Sequence, residues 1–144
     1  EISKDKTTST SDEFSYFLIT KEDEYFNVES FINAGWKKSK SFITDATDKE
    51  GNLLTPDAEE IWYGFYNQKD IEIRFYIDHS KAATSGVESA ETAVGRAVNA
   101  NSKGGIITST NNRVSYQSYV LAGNAVILCQ DLISNCKELA GKLE

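Results

Sequence analysis

The sequence predicts an α+β domain, a mainly antiparallel β-sheet with two or three helices packed on one face. Three observations carry this. Ile71, Ile73, Phe75 and Ile77 alternate with Glu72, Arg74 and Tyr76, the period of two expected of a strand with one side on a core. Between Lys81 and Ala100, Ala83, Val87, Ala90, Val94, Ala97 and Val98 recur at the spacing of an amphipathic helix. The strand-like runs are joined by short polar turns, which favours hairpins over regular βαβ alternation.

Taken in order, Glu1 to Glu13 holds a single aliphatic residue, Ile2, and is expected to be a flexible polar leader to one domain over 14–144. Phe14 to Ile19 is aromatic and branched, hence a first strand. Asn27 is placed to cap a short helix through Val28, Glu29, Phe31 and Ile32, and Gly35 to stop it before Trp36. Lys40 to Thr44 reads as a strand, Asp48 to Asn52 as its turn and Leu53-Leu54 as the return, ended by Pro56. Ile61 to Tyr66 and Ile71 to Ile77 form a hairpin around Asn67 to Asp70. The long helix follows, then a loop over Asn101 to Gly105. Val114, Tyr116, Ser118 and Val120 open a second hairpin that turns at Ala122-Gly123-Asn124 and returns as Ala125 to Cys129. Leu132, Cys136, Leu139, Ala140 and Leu143 make the stripe of a closing helix.

A chain of 144 residues suits one core and needs no metal to fold. Its net charge of −7 is the wrong sign for neutralising phosphates, so nucleic acid is excluded as an expected partner and an anionic membrane is disfavoured. The longest apolar runs, such as Ala125 to Cys129, fall far short of the ~20 residues that span a bilayer, so no transmembrane segment is expected. The chain lacks Met and begins at Glu1, which reads as a processed product or an excised piece.

Few residues offer chemistry. Cys129 and Cys136 lie seven apart at a strand-to-helix junction, where a bend lets them meet as a disulfide and points to an oxidising compartment. The alternative is a pair of buried thiols packing as small apolar groups. His79 is the sole histidine, and its neighbours Asp78 and Ser80 are better placed to cap a helix than to complete a triad. Asp45 to Asn52 is spaced partly like a calcium loop. With Gly51 as the loop glycine, however, Ala46 takes the first ligand position and Asp57 the place of the bidentate Glu, so no metal site is expected. No glycine-rich phosphate loop occurs and no cofactor is expected.

The surface with most functional content lies on the first hairpin. If Ile61, Tyr63 and Phe65 join Ile71, Ile73 and Phe75 in the core, then Trp62, Tyr66, Arg74 and Tyr76 emerge together around a gap left by Gly64. Aromatics beside an arginine suit a protein, peptide or carbohydrate ligand. The alternative is that this face is covered and its aromatics are core. The expectation is a non-catalytic extracytoplasmic domain, bacterial by preference, secreted or tethered to the surface, that binds through those residues. Its rivals are a small carboxylate-dependent hydrolase centred on Arg74, Asp78 and His79, and a structural module of a larger surface protein.

Overall fold

The structure is a computed structural model that describes residues 17–102, 116–130 and 133–143. Its elements are β1 (Phe17–Thr20), α1 (Val28–Asn33), β2 (Lys37–Phe42), β3 (Glu60–Tyr66), β4 (Lys69–Phe75), α2 (Val87–Ser102), β5 (Ser118–Ala122), β6 (Ala125–Cys129) and α3 (Ile133–Gly141). A turn of α-helix, His79–Lys81, and a π-helical turn, Ala82–Gly86, lead into α2. The six strands form one sheet in the order β1-β5-β6-β4-β3-β2. All neighbours run antiparallel except β1, which lies parallel to β5.

Local chemistry accounts for the boundaries. The Asn27 side chain accepts from Ser30 N while the Ser30 hydroxyl takes the Asn27 N–H, a reciprocal cap that starts α1. Gly35, with φ of 111°, lets the chain leave the helix into β2. Asn67 and Gln68 both have positive φ, 53° and 64°, so a two-residue primed turn joins β3 to β4 and pairs Tyr66 with Lys69. At the other hairpin Gly123, at φ of 59°, packs against the Glu24 carbonyl. There the buried Asn124 side chain accepts from Phe26 N and donates to the Phe26 and Tyr76 carbonyls. One amide thereby ties the approach to α1 and the exit of β4 to the second hairpin.

The class is α+β as expected, but the helices do not share one side. Phe31 of α1 and Ile133, Cys136, Leu139 and Ala140 of α3 pack on the face carrying Ile71, Ile73, Phe75, Val120, Ala125 and Ile127. Ala82, with Ala90 and Val94 of α2, packs on the opposite face against Tyr76, Tyr119, Leu121, Val126 and Leu128. Both faces of β5 and β6 are therefore covered, and every residue of these strands is buried.

Other boundaries shift. The strand expected at Lys40 to Thr44 begins at Lys37 and ends at Phe42. Leu53-Leu54 forms no return strand; Leu53 makes a single bridge to Thr47. Helix α2 continues through Ser102, into the segment expected to be a loop. The polar leader, the start of the first strand at Phe14, Val114 and Leu132 lie outside the described residues.

Cys129, at the end of β6, and Cys136, in α3, stand at disulfide distance with Cα atoms 6.0 Å apart. This matches the expected pairing and fastens α3 to the centre of the sheet. No helix among the described residues is long and apolar enough to cross a membrane.

Candidate functional site

The expected cluster of Trp62, Tyr66, Arg74 and Tyr76 does not assemble. Paired residues of antiparallel strands share a face, and Trp62 pairs with Ile73, whereas Arg74 pairs with Ile61. Trp62 and Tyr66 therefore lie on the side of α1 and α3, and Arg74 on the side of α2. Tyr66 is buried and its hydroxyl donates to Glu138 Oε2 at 3.1 Å. Trp62 is half-buried, donates to Glu60 Oε1 at 2.9 Å and carries the Lys38 ammonium 4.5 Å from its ring centroid. The gap expected at Gly64 is filled by the Trp36 indole, 2.7 Å from where a Cβ would stand, so only glycine fits there.

Arg74 and Tyr76 are buried under the α2 side. Arg74 Nε donates to Glu72 Oε2 at 2.6 Å, and the Tyr116 hydroxyl donates to Glu72 Oε1 at 3.1 Å. Burial opposes the Arg74 charge, but the Glu72 carboxylate more than restores it, so the guanidinium stays ionised. Burial likewise pushes the Tyr76 hydroxyl up to about 12. Among the described residues, Arg74 Nη1 and Tyr76 OH have no hydrogen-bond partner. The Tyr76 ring packs against Gly86, where a Cβ would stand 2.9 Å from Cε1. This is a buried polar group within the fold.

The other residues considered for chemistry are also apart. Asp78 accepts from Lys81 N and caps the turn His79–Lys81. His79 Nδ1 donates to the Gly123 carbonyl at 2.8 Å. Asp48 Oδ1 accepts from Glu50 N and Asn52 N, both at 2.9 Å, closing its turn and lowering the carboxyl pKa, chiefly through the Asn52 amide. Among the described residues no group of three His, Cys, Asp or Glu side chains is arranged to hold a metal.

The residues that do come together at the surface are one position out of phase with those expected. On the α2 side of the sheet, the helical residues pack on β5 and β6, and no residue of β3 or β2 joins that buried cluster. On β3 and β2, Tyr63 contacts Phe65 edge-to-face with centroids 5.3 Å apart, and Phe42 stands 6.0 Å from Tyr63. Lys40 Nζ lies 5.6 Å from the Phe42 ring and 5.8 Å from the Tyr63 ring. Lys37 pairs with Phe65 on the same face. Phe65 is 37% exposed and both lysines are exposed. Burial, then the hydrogen bond and charge of Asp70, raise the pKa of Tyr63. The site is a row of aromatic rings flanked by ammonium groups on a chain of net charge −7.

The parity of the turn was the signal that could have found this surface. With two residues in the loop, or with four, Tyr66 and Ile71 share a face, so Ile71, Ile73 and Phe75 carry Trp62 and Tyr66 with them and leave Tyr63 and Phe65 opposite.

No curated protein and no solved structure matches the chain. One family does: residues 27–104, from the cap of α1 past the end of α2 and so including β2, β3 and β4, match the DUF6810 profile. That span is more than half of the 144 residues, and the chain belongs to DUF6810, a family of unknown function.

Proposed function

We propose that this chain is a non-catalytic binding domain acting outside the cytoplasm, bacterial in origin, secreted or tethered, that meets its ligand on the β2–β3 face. One observation carries the reading: Phe42, Tyr63 and Phe65 stand beside Lys37 and Lys40 at the surface of an otherwise acidic chain. Partly exposed aromatics next to cations supply large contact area at small conformational cost together with charge selectivity. The cysteine pair at disulfide distance supports an oxidising compartment.

Selection of a displayed peptide library and a glycan array against the whole protein tests the reading. Ligands selected on the wild type should lose about tenfold or more in affinity for Lys40→Ala/Phe65→Ala, with stability lowered by no more than about 1.5 kcal/mol and the variant fully folded at the assay temperature. Selected ligands that bind the double variant equally well would put the contact surface elsewhere.

A further inference from the structure

Resting on that reading, we infer that β2 receives an acidic, extended peptide segment as an added strand. Among the described residues β2 is the terminal strand of the sheet. The pairing with β3 slips between Lys38 and Lys40, where Ser39 is the additional residue of a bulge. Without the bulge, Lys38 and Lys40 would point the same way. With it, Lys38 pairs with Gly64 and Lys40 with Tyr63, neighbours on β3 whose side chains take opposite faces. Lys38 lies over Trp62 on one side, and Lys40 lies over Tyr63 and Phe42 on the other, with Lys37 on that second side opposite Phe65.

A single edge strand thus carries ammonium groups on both faces of the sheet. A peptide lying on one face would reach only one set. A strand paired along the edge sends alternate side chains to both faces, so two successive carboxylates meet Lys38 on one side and Lys37 or Lys40 on the other. Lysines and a bulge on an edge deter indiscriminate strand pairing, and a strand that brings carboxylates is the one that this deterrent admits. The net charge of −7 repels an acidic segment over most of the surface and leaves β2 as its favourable approach. The ring geometry disfavours a sugar platform, because Tyr63 and Phe65 meet at 69° and Lys40 stands over the Tyr63 ring, so no flat pair of ring faces is presented.

The test uses the whole protein and a fluorescein-labelled octapeptide of sequence Glu-Glu-Val-Val-Glu-Glu-Val-Val, read by anisotropy. Its Gln counterpart, two forms N-methylated at alternate residues of opposite parity, and polygalacturonate complete the set. The Glu peptide should bind at least about tenfold more tightly than the Gln peptide, with the difference shrinking as salt is added. One N-methyl parity should abolish binding and the other leave it nearly intact, because only alternate amides of an added strand face its neighbour. Lys38→Glu and Lys40→Glu should each weaken the Glu peptide by about tenfold. Equal loss with both N-methyl forms, or no binding of the Glu peptide, would overturn strand addition. Polygalacturonate binding that depends on Lys40, without peptide binding, would keep the β2–β3 face as a binding surface and remove only the acidic-strand assignment.

Discussion

One sheet carries two halves that differ in side chains and in cover. In β5 and β6 every residue is buried, with α1 and α3 on one face and α2 on the other. In β2 five of six residues are exposed, and β3 mixes buried, half-buried and exposed positions. The contrast reaches the charges. Arg74 and Glu72 are paired at 2.6 Å in the covered half, whereas Lys38 and Lys40 of the open half rest over aromatic rings within reach of solvent. Cover by helices, together with residue type, decides whether a charged or aromatic group holds the fold together or stands available to a ligand.

The covered half should break first and hardest at Arg74. Arg74→Met strips the guanidinium from the buried Glu72 carboxylate and should destabilise the protein by roughly 3–5 kcal/mol in urea unfolding, while Glu72→Leu/Arg74→Met recovers most of that loss. A cost under about 1 kcal/mol for the single variant would mean that this half tolerates charge as the open half does.

The link between α3 and β6 should come next. Replacing Cys129 and Cys136 by Ala opens a short loop of separation 7, for which chain entropy gives about 2.5 kcal/mol. Thiol titration of the untreated protein in denaturant should find neither cysteine free. Two reactive thiols, or a double variant as stable as the parent, would remove the staple from the comparison and the support it lends to an oxidising compartment.

Tyr76 sharpens the contrast through pH. Its folded pKa, about 12, lies above the ordinary value of 10.0, so the folded state holds this proton more tightly than the unfolded chain. The associated stability is whole below pH 10 and is lost as pH rises towards 12, on the order of 3 kcal/mol. Tyr76→Phe should remove much of that alkaline loss. At neutral pH it should leave stability equal or higher, because among the described residues the Tyr76 hydroxyl has no hydrogen-bond partner to lose and its burial is uncompensated. A variant with the parent's alkaline unfolding profile would assign the loss to other groups.

These two halves were unequally legible in the sequence. The cap at Asn27, the stop at Gly35, the hairpin around Asn67, the long helix and the cysteine pair all follow from short-range rules, and each appears close to its expected place. The unbroken apolar run Ala125 to Cys129 also carried a message that alternation alone does not: a strand apolar on both sides needs cover on both, as α2 and α3 provide. The phase of β3 was misread because Ile61, Tyr63 and Phe65 make as good an apolar stripe as Trp62, Gly64 and Tyr66. The even turn, which puts Tyr66 on the face of Ile71, decides between them, and the Trp36 indole over Gly64, with its Nε1 donating to the Ile71 carbonyl, holds that phase. The burial of Arg74 was hidden for a related reason, since alternation marks it as the polar side of β4 and only tertiary contact brings Tyr116 to its partner Glu72.

The smallest expected effect on stability belongs to the open half, and it is the one that bears on function. Lys40 is exposed, and the contacts of its ammonium with the Phe42 and Tyr63 rings are at the long end for a cation over an aromatic face. Phe65 is 37% exposed and meets Tyr63 at its edge. Neither side chain fills a cavity whose loss would be felt in the core, so Lys40→Ala should move the unfolding midpoint by less than about 0.5 kcal/mol and Phe65→Ser by about 1 kcal/mol at most. Urea unfolding of both variants beside Arg74→Met makes the measurement internal to one sheet. If Lys40→Ala or Phe65→Ser approached the Arg74→Met loss, the β2–β3 face would be part of the core and its rings and lysines would serve folding. If both stay near the parent, those residues are dispensable to the fold, and a loss of ligand binding in the same variants can be assigned to the surface itself.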